Sequence, residues 1–578
     1  LTNREIADIL EQVATALELV SDNPFRARAY YAAARAVAAH PSPVADLARQ
    51  GKLSDIKGVG ASVAQSIYDI IENGSPAILD ELLAEIPPGV WAMLSLPGLG
   101  PKRVRSLWRS LNITTLDELQ EACRTNRLLS LDGFGEKTQA RILHGIDLLR
   151  RNQGRLLLSD ALEIAEQFMQ HLAERAVCLS KVEPAGALRR RCETMDVIDV
   201  LVVIPTDADP NAVIALLGDV ADQQVALDSP ADSTVCSEAC PGQWRSVIIP
   251  FRGARIAVHI RPAGIAPVSL FLLTGNDNHV QECMALSQRL FGSSYRLSSE
   301  ADIYKELGMQ FVPPEMREGL GEVELARKCE LPSLVEESDI KGVLHVHTNY
   351  SDGTHSIEEI VQHCLARGYE YVGIADHSQS AFYAGGLSPA DLIRQHEEIQ
   401  EIQRRFPGIR ILHGIESDIL ADGSLDYGDE LLAMLDFVIG SIHSRLTMPR
   451  DQMTARILAA VRNPYLSILG HPSGRLLLSR DGIHVDLEAV LAALAEEGKA
   501  VELNADPHRL DLDYKHCILA KRMGIPVAIN PDAHSTFGIE NLRYGVAIAR
   551  KGWLASTDIL NCLSASAIVD RFRRMRKA

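Results

Sequence analysis

The chain runs to 578 residues with 46% hydrophobic and 23% charged residues, enough for several domains, and holds no apolar run long enough to cross a bilayer. Its net charge of −18 argues against a general coating of nucleic acid and leaves room for local phosphate contacts. Residues 2–11 are charged and amphipathic, so no signal peptide is expected, and ten scattered cysteines, of which only Cys236 and Cys240 come near a pair, point to a reducing cytoplasm.

Residues 1 to about 150 read as all helical, with Ala-rich amphipathic segments at 26–39 and 61–71. Three related hairpins punctuate them: Leu53-Ser54-Asp55-Ile56-Lys57-Gly58-Val59-Gly60, Leu94-Ser95-Leu96-Pro97-Gly98-Leu99-Gly100-Pro101-Lys102 and Leu129-Ser130-Leu131-Asp132-Gly133-Phe134-Gly135-Glu136-Lys137. In each, an apolar helix end leads through a G-x-G turn into a new helix start. The two glycines allow positive φ in the turn, and the next helix offers free backbone N–H groups as an anion seat. Three such turns in one region, with Lys57, Lys102, Arg103 and Lys137 nearby, are similar to helix-hairpin-helix DNA-binding motifs. The resemblance implies a grip on DNA backbone without base reading through Lys57, Gly58, Gly60, Gly98, Gly100, Lys102, Gly133, Gly135 and Lys137.

From Leu158 the pattern changes. A helix at 161–172 leads into a strand at 181–184, the stretch Gly186-Ala187-Leu188-Arg189-Arg190-Arg191, a strand at 197–204 and two more at 244–251 and 255–260. An acidic stretch with Pro332 then reads as a linker.

Beyond it, short apolar runs repeatedly end in His, Asp or Glu: Leu344-His345-Val346-His347, Gly373-Ile374-Ala375-Asp376-His377, His413-Gly414-Ile415-Glu416-Ser417-Asp418, Gly440-Ser441-Ile442-His443, Leu469-Gly470-His471, Val501-Glu502-Leu503-Asn504 and Asn530-Pro531-Asp532-Ala533-His534. In a strand, alternate side chains point one way, which puts His345 and His347 on one face. Helical segments at 356–366, 389–404 and 487–496 separate these runs, so strand and helix alternate. Parallel strands result, with their C-terminal ends on one rim, where barrel enzymes place their chemistry. Of the 18 histidines, 13 lie beyond residue 340. Imidazole with carboxylate and no Cys suits Mn, Zn or Fe rather than a thiolate-bound zinc.

The motifs HxHTxxSDG from His345, A-D-H at 375–377, G-x-E-x-D at 414–418, S-x-H-S at 441–444, G-H-P at 470–472 and D-A-H at 532–534 resemble the PHP (polymerase and histidinol phosphatase) superfamily of metal-dependent phosphoesterases. The resemblance spans roughly 339–570. It implies the ligands His345, His347, Asp352, His377, Glu416, His443, His471, Asp532 and His534 around a cluster of up to three metals, Mn2+ or Zn2+, with Glu416 as a bridge. Within that set, His345, His347, Glu416, His471 and Asp532 are the expected catalytic centre. Close divalent cations activate water and neutralise phosphoryl charge, so no protein nucleophile is needed. Arg475, His508 and Arg509 are candidates for holding a phosphate.

The whole order resembles a bacterial family X DNA polymerase fused to a PHP domain. The fold class expected is multidomain: an all-α helix-hairpin-helix N-terminal region, an α/β nucleotidyltransferase-like palm and a C-terminal distorted βα barrel. The divisions expected are a DNA-end-binding domain (1–85), fingers (86–150), palm (151–265), thumb (266–316), linker (317–338) and PHP domain (339–570). The resemblance implies Gly186, Arg189 and Arg190 as nucleotide-phosphate contacts.

The departures from that family decide more than the match. Gly186-Ala187 stands where G-S is expected. Aligned through Arg189-Arg190 and Glu193-Thr194, the family's D-x-D falls on Val197-Ile198-Asp199, and its third Asp falls on His259. Two-metal nucleotidyl transfer needs carboxylates at i and i+2 on one strand face, whereas Asp196 and Asp199 are i and i+3. Mg2+ at the palm is therefore doubtful, and polymerase activity is expected to be lost or weak. The reading is a DNA-repair phosphodiesterase, a 3′→5′ exonuclease and abasic-site endonuclease, acting on DNA with gaps, 3′ ends or abasic sites. Nucleotides are a further partner of the palm, no membrane is involved, and a cytoplasmic monomer is expected. The alternatives are an active gap-filling polymerase edited by the PHP domain, or a small-molecule phosphoesterase carried by a DNA-binding module. The basic end at 571–577 reads as a solvated helix tail.

Overall fold

Apolar residues at helical spacing build the first of two units, Leu1–Gln153, and the second runs from Gly154 to Ala578. The computed structural model describes residues 3–21, 23–38, 40, 43–96, 98–175, 179–218, 245–287 and 297–576. Pro97, Cys236, Cys240 and Trp244 of the stretches above lie outside the described residues.

In the first unit the helices Asn3–Val20, Pro24–Ala38, Ala61–Asn73, Pro101–Leu111, Leu116–Arg124 and Glu136–Arg151 share one core through Leu10, Val13, Ile67, Val104, Leu107 and Ile142, all fully or almost fully buried. The three hairpins have one geometry. The first glycine of each pair is left-handed, with φ of 96° at Gly58, 81° at Gly98 and 82° at Gly133. The second is extended backbone: Gly60, Gly100 and Gly135 are the residues capping the following helices, and no side chain caps those helices. Positive φ thus accounts for only half of the glycines. The other half leave the helix N–H groups uncovered.

The second unit contains two sheets of importance. A four-stranded sheet pairs Lys181–Pro184 antiparallel with Ile198–Ile204, that strand parallel with Ala254–Pro262, and the last antiparallel with Arg245–Phe251. The β-branched run Ile198, Val200, Val202 and Ile204 is fully or almost fully buried at its centre. Gly186–Arg189 is a short helix.

The larger sheet has seven strands in sequential order, all parallel: Gly342–Val346, Tyr371–Ile374, Arg410–Asp418, Phe437–Ser441, Ile468–Leu469, Ala500–Asn504 and Val527–Asn530. A parallel bridge from Val346 to Ala533 joins the first strand to the end of the last, so the sheet nearly closes into a barrel. Its interior is apolar at one end, where the Phe437 ring fills space that only glycine leaves open: a Cβ on Gly373 or Gly414 would lie 2.8 or 2.4 Å from it. The helix Ala565–Met575 closes that end, with Phe572 stacked on Phe437 at 5.3 Å between centroids. Residues 571–577 were expected to be a solvated tail, but Phe572 and Met575 are buried apolar anchors.

The stretch 317–338 is also no free tether. Arg317 and Glu322 are fully buried, Arg317 paired with Glu300 and Glu322 with His279, and Val323 and Ala326 pack in one core with Ile518 and Trp553 of the barrel. Acidic composition suggested solvent, but each buried acid has a cationic or imidazole partner that removes the cost of burial.

Candidate metal centre and polymerase-like palm

Each barrel strand delivers its polar residue at or just past its C-terminal end, and the nine side chains implied as ligands meet there. Glu416 is the focus. Its Oε1 lies 3.4 Å from His345 Nε2, 3.3 Å from His443 Nε2 and 2.9 Å from His471 Nε2, while its Oε2 lies 2.8 Å from His377 Nδ1 and 3.8 Å from His347 Nε2. Asp532 Oδ1 faces His347 Nε2 at 3.0 Å and His345 Nε2 at 3.4 Å. Asp352 reaches His534 Nε2 at 3.4 Å, His377 Nε2 at 3.6 Å and His347 Nδ1 at 3.8 Å.

The reason two histidines at i and i+2 converge differs from the sequence expectation. His345 has a left-handed backbone, φ 58°, and the register between the first two strands shifts between Val343 and Val346, so a local irregularity rather than regular alternation aims both rings inward. Asp532, at φ 51°, and His471, at φ 21°, are strained in the same sense. Backbone strain of this kind concentrates at functional sites, where surrounding bonds enforce it.

Most of those bonds come from residues outside the nine. Glu502, buried in its strand, accepts from His345 Nδ1 at 2.6 Å, the His471 backbone N–H at 2.6 Å and Asn530 Nδ2 at 2.8 Å. Asp418 holds His443 Nδ1 at 2.7 Å, and the Asp532 carbonyl holds His534 Nδ1 at 2.9 Å. Asp376 accepts from the Thr348 N–H and hydroxyl, from Ser351 and from Gln395, fixing the loop that carries Asp352. Glu502 was noted in the sequence only as a strand end. The available signal was an acid inside an apolar strand.

The donor set fits divalent cations. His345 Nε2, His347 Nδ1, His377 Nδ1, His471 Nδ1 and Glu416 Oε2 are buried and make no hydrogen bond. His377 Nδ1 and Glu416 Oε2 are 2.8 Å apart without the angle of a bond, as two donors to one ion would be. Donors bonded at about 2.1 Å sit roughly 3.0 Å apart at a right angle and roughly 3.4 Å apart at a tetrahedral one, and the facing donors here lie between 2.8 and 3.8 Å apart. Three overlapping groups result: His347, Asp352, His377 and His534; His345, His347 and Asp532; His377, Glu416 and His443. His471 joins through Glu416.

The electrostatics agree. Burial would raise the Glu416 carboxyl, but His443, His377 and His345 hold it well below the carboxylate range, and Asp532 is held down likewise by His345 and His347. Burial would lower the His345 imidazolium, and Glu502, Asp532 and Glu416 override it upward. Burial drives His347 down, with His377 and His534 repelling its proton. The ring nitrogens and acids therefore form one charge-compensated pocket whose donors could take a divalent cation in place of protons.

Of the three phosphate candidates, only Arg509 faces the centre, its Nε 3.6 Å from Asp532 Oδ2. Arg475 is engaged elsewhere, by the Arg509 carbonyl and by Glu193 of the palm at 2.7 Å. His508 is exposed beside Asp506.

In the palm, cross-strand register brings His259 beside Asp199: Leu201 pairs with His259, and Asp199 lies two residues away on the same face. His259 Nε2 bonds Asp199 Oδ1 at 3.0 Å, and its Nδ1 bonds Ser246 Oγ at 3.0 Å. Asp196 points to solvent beside Arg155. Gly186, with φ 56°, packs so close that a Cβ would stand 2.0 Å from Asp199 Oδ2. Arg189 and Arg190, expected as phosphate contacts, are committed to acids: Arg189 to Glu300 and the Thr274 hydroxyl, Arg190 to Glu318 and the Thr274 carbonyl. Glu300, buried, and Glu318, mostly buried, need those guanidiniums as counterions.

In the hairpins, Lys57, Lys102 and Lys137 are exposed, whereas Val59, Leu99 and Phe134 between the glycines are buried. Arg103 turns back to the Gly98 carbonyl at 2.8 Å.

Comparison with known proteins gives three family matches and a set of relatives. A helix-hairpin-helix domain matches residues 1–76, a SAM-like helix-hairpin-helix tandem matches 92–146 and a PHP domain matches 344–506. The DNA polymerase/3'-5' exonuclease PolX of Bacillus subtilis (strain 168) is 32% identical over 575 residues, 97% of either chain. A probable phosphatase of Thermoanaerobacter sp. (strain X514) is 27% identical over 235 residues, 38% of this chain and 91% of its own. Another, of Caldanaerobacter subterraneus subsp. tengcongensis, is 29% identical over 210 residues, 34% of this chain and 78% of its own.

Proposed function

Because the chain belongs to the PolX family of DNA polymerase/3'-5' exonucleases, with helix-hairpin-helix domains ahead of a C-terminal PHP domain, we propose that it acts mainly as a metal-dependent 3′→5′ exonuclease, with abasic-site cleavage, and has lost all or nearly all polymerase activity. One observation carries the first half: both oxygens of buried Glu416 face five imidazoles, several with ring nitrogens that make no hydrogen bond. Mn2+ or Zn2+ held by His345, His347, Asp352, His377, Glu416, His443, His471, Asp532 and His534 would activate water and screen the phosphoryl oxygens. The chain's own residues orient the ligands: Glu502 fixes the His345 ring, Asp418 fixes His443, and Arg509 offers a cation beside Asp532 for the phosphate.

The second half rests on the palm. With Val197 and His259 in place of two acids, and the remaining Asp199 hydrogen-bonded to His259, the site lacks the anionic charge that two Mg2+ ions require. The exposed lysines and open helix ends of the hairpins support a backbone grip on gapped or 3′-ended DNA.

A 3′-labelled oligonucleotide incubated with Mn2+ tests the reading. Shortening by the native protein and none by His345→Ala is expected. The phosphatase relatives favour a second reading, hydrolysis of a small phosphomonoester, which would leave the oligonucleotide intact while the monoester is consumed. The Bacillus relative's name carries a polymerase as well, and template-directed extension by this chain would contradict the loss assigned to the palm.

A further inference from the structure

Large aromatic side chains belong inside a fold, yet four large apolar residues among those described are more than 70% exposed, and three of these are aromatics on loops that leave the metal ligands: Phe382 at 84%, Tyr383 at 71% and Phe537 at 82%. Phe382 and Tyr383 follow His377, and Phe537 follows His534 by three residues. The His377 and His534 rings from which these loops depart are 6.2 Å apart, and the Tyr383 ring lies 6.3 Å from that of His377.

The first loop is tied down by its own hydrogen bonds, which hold the two aromatics outward. Leu387 N–H bonds the His377 carbonyl at 2.9 Å, Ala381 N–H bonds the Ser378 carbonyl at 3.0 Å, and Ser380 is tied through its backbone to Asp426 at 2.6 Å. Ala381 and Ala384 are buried on either side of the two aromatics. A Cβ on Gly386 would meet the Ser378 carbonyl at 1.9 Å, which closes the loop tightly on itself.

Charge is distributed the other way around the rim. Arg445, exposed, follows His443 on the loop after the fourth strand, and Arg509 lies beyond the sixth beside Asp532. Aromatics therefore leave the second and seventh strands, which flank the first in the closed barrel, and cations leave the fourth and sixth. Exposed aromatics and guanidiniums on one rim complement what a single strand of nucleic acid presents: bases to stack, phosphates to pair.

We propose that Phe382, Tyr383 and Phe537 form a stacking platform for the terminal bases of a single-stranded 3′ end, with Arg445 and Arg509 along its phosphates. The inference rests on the exonuclease reading and concerns 3′ ends alone: they are seated through the presence of unpaired bases and not their identity, and cleavage at an abasic site makes no use of the platform. Stacking of one base contributes about 1–3 kcal/mol, equivalent to roughly 5- to 150-fold in affinity.

The test compares two single-stranded oligonucleotides, one ending in ordinary nucleotides and one whose last two sugars carry no base, with the full-length native protein, the double variant Phe382→Ala/Phe537→Ala and the rescue Phe382→Trp/Phe537→Trp, in Mn2+. The native protein should show a KM for the baseless end at least fivefold above that for the ordinary end. The ratio should fall to about one in the alanine variant and return in the tryptophan variant, with metal content equal in all three. A ratio of one in the native protein, or a ratio that survives the alanine substitutions, overturns the platform while leaving the nuclease intact; the aromatics would then serve a protein partner. Failure of the native protein to cut either oligonucleotide overturns the nuclease reading itself.

Discussion

A single carboxylate, Glu416, is the focus of the candidate metal centre, and the next layer of acids orients the side chains around it. Replacing Glu502 by Gln keeps the shape but removes the charge that fixes His345 and the His471 backbone. Loss of such support weakens metal binding by about 10- to 100-fold, which a competition titration of Mn2+ against a chelator would read. A second buried group offers a test independent of metal. Burial, and His396 beside it, push His413 down to about 3 from 6.5, so the folded protein keeps it neutral while the unfolded chain takes up a proton below about pH 6.5. Stability is therefore lost as pH falls from about 6.5 towards 3. Between pH 7 and pH 5 the native protein should lose about 2 kcal/mol more than His413→Gln in urea unfolding. The nine candidate ligands could be listed from motif order, through the resemblance to the PHP family, and the structure brings their side chains together. Glu502 could not, because an acid's partner across 157 residues is set by barrel closure.

The hairpins show what local chemistry does and does not reveal. Glycine spacing announced the turns, and the buried Val59, Leu99 and Phe134 follow from their apolar character, but the unlike roles of the paired glycines appear only in the backbone. If the exposed lysines seat phosphates, each substitution Lys102→Ala or Lys137→Ala should reduce the slope of log affinity against log salt by about one on duplex DNA, measured by fluorescence anisotropy. An unchanged slope would remove them from the interface. In the palm, the replaced acids were visible in the sequence, whereas the engagement of Arg189 and Arg190 by Glu300 and Glu318 was not, since those acids lie more than 100 residues away. The acidic stretch before the barrel misled for the same reason: composition predicts solvent, and long-range partners bury Glu322.

Palm and barrel belong to one compact unit, and a largely buried ion pair, each side chain 17% exposed, joins them. Arg475, four residues past the ligand His471, bonds Glu193 of the palm at 2.7 Å and, through the Arg509 carbonyl, braces the loop beside Asp532. Burial lifts the Glu193 carboxyl even with Arg475 against it, so the pair adds little by itself, but breaking it strands a cation. Glu193→Ala should cost about 3–5 kcal/mol in denaturant unfolding, and a change below 1 kcal/mol would deny the coupling. Alternating strands and helices foretold the barrel, while its closing helix and its joint with the palm depend on contacts that no local pattern encodes. The measurement that bears most directly on the account follows a labelled primer on a gapped duplex with Mn2+ and all four deoxynucleotides present. The primer should shorten into a ladder and never lengthen; template-directed growth would contradict the assignment of hydrolysis to the barrel and silence to the palm.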